Sequence, residues 1–106
     1  MKIFRGDTFE FDFQIDLTDG SQYEFQVEEI LRIGMKRNVN EKKYTCFKEI
    51  KIEKSAHILT VIFENEEMEK VNEGKYILEI ELTMTNGKVK TVLQENIEIV
   101  GDVINV

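Results

Sequence analysis

Residues 74 to 87 read Gly-Lys-Tyr-Ile-Leu-Glu-Ile-Glu-Leu-Thr-Met-Thr-Asn-Gly, and no other stretch constrains the fold as tightly. Tyr76, Leu78, Ile80 and Leu82 alternate with Lys75, Glu79 and Glu81. Successive side chains of a strand point to opposite faces, so this period of two predicts a half-buried antiparallel strand, apolar inside and charged outside. Asn86-Gly87 then reads as a type I′ hairpin turn, whose two central residues need positive φ. The next strand is expected to fold back beside it.

The same period recurs along the chain. Phe9, Phe11, Phe13 and Ile15 alternate with Glu10, Asp12, Gln14 and Asp16, and Asp19-Gly20 supplies the turn that follows. A short extended piece is expected around Tyr23 and Phe25, then a strand through Leu31, Ile33 and Met35, in which Gly34 marks a bulge or a close approach of backbone. Residues 38 to 43 are polar and read as a loop. Residues 44 to 52 and 57 to 63 read as two further strands. The acidic stretch 64 to 73 carries Met68 and Val71 three apart, which suits one helical turn packed over an end of the sheets. Val89, Thr91 and Leu93 continue one face, and Gln94-Glu95-Asn96 interrupts the apolar series before Ile97 and Ile99, so a bulge or a change of sheet partner is expected there. The apolar end, Val103-Ile104-Asn105-Val106, is expected to pair with a sheet edge of its own chain, the alternative being an edge of a neighbour. About seven strands at short spacing, with turn signals between them, predict an all-β fold, an antiparallel β-sandwich.

Composition sets the limits. The 106 residues suffice for one domain, residues 1 to 106, with no linker in sight. Fourteen Lys and Arg against 21 Asp and Glu give a net charge of −7, which argues against nucleic acid or an anionic membrane as partner, because both need basic surface. The single cysteine, Cys46, excludes an intrachain disulfide, and cytoplasmic synthesis is the simplest expectation. The N-terminal residues lack the apolar run of a signal peptide, and no stretch has the length and apolarity of a transmembrane helix.

Candidate chemistry is sparse. His57 and Cys46 are single residues of their kinds, whereas a zinc or copper site needs three or four ligands, so no metal site is expected and Cys46 reads as a small packed hydrophobe. Glu64, Glu66, Glu67 and Glu69 lack the spaced ligands and turn glycine of a calcium loop and read as a solvated segment. Neither a nucleophile elbow nor a phosphate-cradling loop occurs, so no catalytic residue and no cofactor is expected and the chain reads as non-enzymatic. Arg5-Gly6-Asp7 reads as the turn leading into the first strong strand. Tyr23 and Tyr44 are the aromatic residues available to a carbohydrate- or ligand-binding surface.

Two further groups complete the candidate set. Gly74 and Tyr76 suit the corner of an immunoglobulin-like sandwich, in which a tyrosine early in a late strand hydrogen-bonds back to the preceding loop. Between Arg32 and Lys54 eight Lys or Arg face three Glu, a local balance of +5, while the remainder of the chain carries −12. If the middle strands form one side, Arg32, Lys36, Arg37, Lys42, Lys43, Lys48 and Lys51 make a basic band suited to docking with a partner or a second copy.

Arg5-Gly6-Asp7-Thr8 before an alternating strand, Asp19-Gly20, Gly74-Lys75-Tyr76, and Asn86-Gly87 ahead of a strand through Thr91 together resemble the small domain that begins baseplate upper proteins of tailed phages of Gram-positive bacteria. The resemblance runs over nearly the whole chain and rests on turn and strand signals. It implies an immunoglobulin-like sandwich without chemistry of its own, made in the bacterial cytoplasm and built into the virion, where it docks with other tail or baseplate proteins and with copies of itself. The chain ends at Val106, where baseplate proteins continue into linking helices and further domains. The resemblance therefore implies a structural or accessory tail component more than a receptor-reaching one.

Overall fold

The computed structural model describes residues 1–101 as a β-sandwich of two unequal sheets. Its elements are β1 (Lys2–Phe4), β2 (Phe9–Phe13), β3 (Ile30–Lys36), β4 (Cys46–Lys51), β5 (Leu59–Phe63), α1 (Asn65–Met68), β6 (Gly74–Thr83) and β7 (Val89–Val100). Five strands form one sheet in the order β1-β7-β6-β3-β4, and β2 pairs with β5 in the other. The run β7-β6-β3-β4 matches the G-F-C-C′ order of an immunoglobulin-type sheet, with β2 and β5 in the places of B and E. The segment 103 to 106, expected at a sheet edge, lies outside the described residues.

The alternating rows turn inward as their period requires. Phe9 and Phe13 of β2 and Val61 and Phe63 of β5 are buried against Leu31, Ile33 and Met35 of β3, Tyr76, Leu78, Ile80 and Leu82 of β6, and Ile97 and Ile99 of β7. Burying each large apolar side chain stabilises the fold by about 1.5–3 kcal/mol, so the sandwich is held chiefly by these rows. Met68 and Val71 are wholly buried, and they seat α1 on the same core as their spacing predicts.

Several expectations are corrected. The strand Lys2–Phe4 runs parallel to Glu98–Val100, so the large sheet is mixed and not purely antiparallel; three residues are too few to display a period. The short extended piece expected around Tyr23 and Phe25 is held by isolated bridges, Asp16↔Gln22 and Phe25↔Ala56, and joins neither sheet as a strand. Strands β4 and β5 are shorter than the apolar stretches that announced them. Strand β7 does not break at Gln94-Glu95-Asn96, which pair in register with Glu79, Leu78 and Ile77; the register slips instead where Ile80 faces Leu93 and Glu81 faces Thr91, leaving Val92 as the extra residue.

The β6–β7 hairpin forms, but not through a type I′ turn. Gly87 donates to the Met84 carbonyl at 2.9 Å, Met84 donates to that of Lys88 at 2.8 Å, and only Gly87 has positive φ, 88°. That is a three-residue loop, Thr85-Asn86-Gly87, with the glycine in the left-handed position. Thr18-Asp19-Gly20 repeats it: Gly20 donates to Leu17 at 3.0 Å, and its φ is 90°. In both, the Asx carboxyl or amide oxygen accepts from the backbone two residues on, Asp19 from Ser21 at 2.9 Å and Asn86 from Lys88 at 3.0 Å.

The tyrosine corner is present. Tyr76 donates its hydroxyl to the Asn72 carbonyl at 2.7 Å, and the Arg37 guanidinium lies 4.6 Å from the centre of its ring. Gly74, at φ 146°, leaves the room this requires, since a Cβ there would stand 2.5 Å from an Arg37 nitrogen. Among the described residues no helix is long and apolar enough to cross a membrane.

Candidate functional site

The polar side chains of β3 and β6 fall on the outer face of the five-stranded sheet, and register lines them up in rows across the strands. One row runs Phe47, Gly34, Glu79 and Gln94 from β4 to β7. The neighbouring row runs Glu49, Arg32, Glu81 and Thr91. Gly34 leaves a gap in the first, and the loop between β3 and β4 fills it with the ring of Tyr44. A Cβ on Gly34 would lie 2.5 Å from Cγ and 2.6 Å from Cε1 of that ring. Gly34 is thus a close approach and not a bulge, because β3 keeps its register with both neighbours.

Tyr44 is fixed at both ends. Its ring stacks on Phe47, centroids 5.4 Å apart and planes inclined by 24°, and its hydroxyl donates to Glu79 Oε1 at 2.7 Å. Glu79 is buried, and it also accepts from Gln94 at 2.7 Å and pairs with the buried Lys36 ammonium at 3.2 Å. Burial pushes the Glu79 carboxyl up, but the hydrogen bonds from Gln94, Tyr44 and Lys36 outweigh it and hold the group below its ordinary range. Burial and the adjoining carboxylate push the Tyr44 hydroxyl well above its ordinary value, so it stays a neutral donor. The Lys36 ammonium also sits 5.5 Å from the Tyr44 ring centre. Among the described residues no buried side-chain atom of this network lacks a partner, and such a network stiffens the ring above it into a platform.

Beside the platform lies an open cavity of about 380 Å³ lined by Arg32, Lys43, Tyr44, Phe47 and Glu81. Phe47 is 47% exposed, so one aromatic surface faces solvent between two cations and a carboxylate. Such a surface offers stacking area, an anion contact and a hydrogen-bond acceptor. It does not bring together a nucleophile and a base.

The basic residues named from the sequence do not form one band. Lys36 is buried against Glu79, and Arg37 covers Tyr76. Lys48 has the opposite parity to Phe47 and points across the sandwich, where it donates to the Ile62 carbonyl and pairs with Glu67 at 3.0 Å. Arg32 pairs with Glu49 at 3.2 Å and Lys51 with Glu28 at 3.0 Å, both at the surface. Lys42 and Lys43 lie exposed in the loop and make no ion pair among the described residues. Alternation along the strands disperses the cations that sequence proximity gathers.

The remaining candidates find plain places. Tyr23 is packed edge-on against Phe25, 5.5 Å between centroids, and gives its hydroxyl to the buried Glu29 at 2.5 Å. Glu29 takes a second bond, at 2.6 Å, from the Gln26 amide, so Tyr23 is a support for the loop and not an exposed platform. Cys46 is a free, half-buried thiol that burial pushes up. His57 is exposed, 3.6 Å from Glu24. Arg5-Gly6-Asp7 forms a turn, with Asp7 donating to the Phe4 carbonyl at 3.1 Å and Arg5 tied to that of Glu69 at 3.2 Å. Among the described residues no group of three His, Cys, Asp or Glu side chains is placed to hold a metal ion. Of the platform and its cavity, sequence reading named Arg32, Lys36, Lys43 and Tyr44 but missed Phe47, Glu79, Glu81 and Gln94; the one available signal was a glycine in the middle of an otherwise regular strand. Set against family models, curated proteins and solved structures, the chain matches none of them.

Proposed function

We propose that this chain is a non-enzymatic docking module, a phage or prophage tail component of the baseplate-upper kind, acting through the outer face of its five-stranded sheet. The observation that carries this reading is the Tyr44–Phe47 pair: a protein that spends a strand glycine and a buried ion pair on holding two rings flat, with one of them exposed, has a surface prepared for contact. The partners are other tail proteins or further copies of the chain, met in the cytoplasm where tails assemble. Electrostatic guidance comes from Lys42 and Lys43 in place of the wider band.

Co-sedimentation of the tagged chain with tail particles purified from producing cells tests the reading. Phe47→Asp combined with Lys43→Glu is expected to keep thermal unfolding within about 4 °C of wild type, since both side chains are exposed, while removing the chain from the particles. A variant that stays folded and still sediments with tails rules this face out as the docking surface.

The same platform favours a second reading, a carbohydrate- or small-ligand-binding module. A ring held face-up beside charged side chains is how a shallow polar site stacks a sugar.

A further inference from the structure

Resting on that second reading, the geometry points to the cavity bounded by Tyr44, Phe47, Arg32, Lys43 and Glu81 as a binding site for an acidic saccharide, a sugar unit carrying a carboxylate. Its volume, about 380 Å³, suits one or two pyranose rings and lies within the range of small-ligand sites. The cavity is shallow and largely open, and Phe47 is half in solvent, so an occupant keeps one face wet. A pyranose fits this condition, because one face is rich in C–H groups that lie on an aromatic ring while its hydroxyl edge stays hydrated. A flat aromatic ligand would leave its second apolar face in water.

Charge then narrows the sugar. Arg32 is partly engaged by Glu49, but Lys43 makes no ion pair among the described residues, and neither does Glu81. Counting lining residues, two cations face one carboxylate, which favours a sugar unit that brings one negative group to the site. The sugar carboxylate takes Lys43 and the exposed side of Arg32, and Glu81 accepts from a hydroxyl. Below the floor, Glu79 holds Tyr44 by its hydroxyl and Gly34 lets the ring lie flat, so little ordering remains to oppose binding.

Titration of the whole chain with trigalacturonate, followed by backbone amide shifts, tests the site, with neutral galactotriose as the control sugar. Saturable shifts are expected at Arg32, Lys43, Tyr44, Phe47 and Glu81, with a dissociation constant on the order of 1 mM, typical of a shallow site. The neutral trisaccharide should bind at least about fivefold more weakly, and Lys43→Gln should weaken trigalacturonate by about three- to tenfold. Phe47→Ala should abolish binding, whereas Lys51→Gln, on the same sheet face but outside the cavity, should leave it unchanged; the inward-facing Ile80 and Leu82 resonances report that each variant is folded. The assignment is overturned if these residues show no saturable shift up to about 20 mM sugar, or if Lys51→Gln weakens binding as much as Lys43→Gln does. Such a failure leaves the docking reading to its own tail-particle measurement, in which no sugar takes part.

Discussion

Glu79 and Gly34 are each explained by a neighbour in space and not in sequence, and single substitutions should expose the dependence. Glu79→Ala leaves the Lys36 ammonium buried without its counter-charge, and losing one member of a buried pair costs about 3–5 kcal/mol; chemical denaturation reads this directly. Lys36→Met in the Glu79→Gln background should recover part of the loss, because no charge is then left unpaired. Gly34→Ala forces the Tyr44 ring off the sheet and should cost about 1–3 kcal/mol. In a Tyr44→Ala background the same change no longer meets the ring and should cost much less, so the double-mutant cycle yields a coupling that an isolated strand glycine would not show. Acid adds a signature. Folding lowers the Glu79 pKa from 4.5, so its contribution is complete above that value and is lost as pH falls through the folded one. Glu79→Gln should therefore show a shallower fall in stability than wild type as pH is lowered below 4.5. At the other extreme burial, with Glu29 beside it, raises Tyr23 from 10.0 to about 12, so the stability it confers is complete below pH 10 and fades as pH rises through 12; Tyr23→Phe should remove that alkaline loss.

At the level of elements, the Thr85-Asn86-Gly87 loop makes a prediction that separates its geometry from the type I′ turn its sequence first indicates. In a type I′ turn Asn86 would have positive φ, and Asn86→Gly would be neutral or helpful. In the loop observed, Asn86 does not have positive φ and its side chain caps the Lys88 amide, so Asn86→Gly should cost about 0.5–1 kcal/mol. Tyr76→Phe, which removes the corner bond to Asn72, should cost about 1 kcal/mol. Strands with long apolar rows, β2, β3 and β6, were legible because one face of each is buried and the period of two is forced. The tyrosine corner was legible for a related reason: Gly74 and Tyr76 act over four residues. The turn type was not, since Asn-Gly suits both a two-residue type I′ loop and the last two places of a three-residue loop, which differ in length and in the sign of φ at Asn86. Strand β1 was invisible because an edge strand of three residues needs no pattern, and the platform because its parts come from four elements whose register no local rule supplies.

Across the whole molecule the sheets are unequal, and the body measures 49 × 27 × 24 Å. Among the described residues the small sheet has two unpaired edges, and one is occupied at Ile62, where Lys48 reaches over from β4 to its carbonyl. A lysine aimed at an open edge is a known guard against pairing with a stranger, so Lys48→Ala should raise aggregation on heating, read by light scattering, more than it lowers the unfolding temperature. Strand β6 lies in the middle of the large sheet, between β3 and β7, and its amides should exchange most slowly with solvent. The parallel strand at the edge bears on how the protein is made. Lys2–Phe4 pairs with Glu98–Val100, so β1 has no sheet to join until β7 has been made. Loop closure over such a span is slow and rewards nothing until it is finished. A nascent chain halted before Glu98 should thus remain protease-sensitive on the ribosome, and acquire its resistance in one late step after that strand has cleared the exit tunnel.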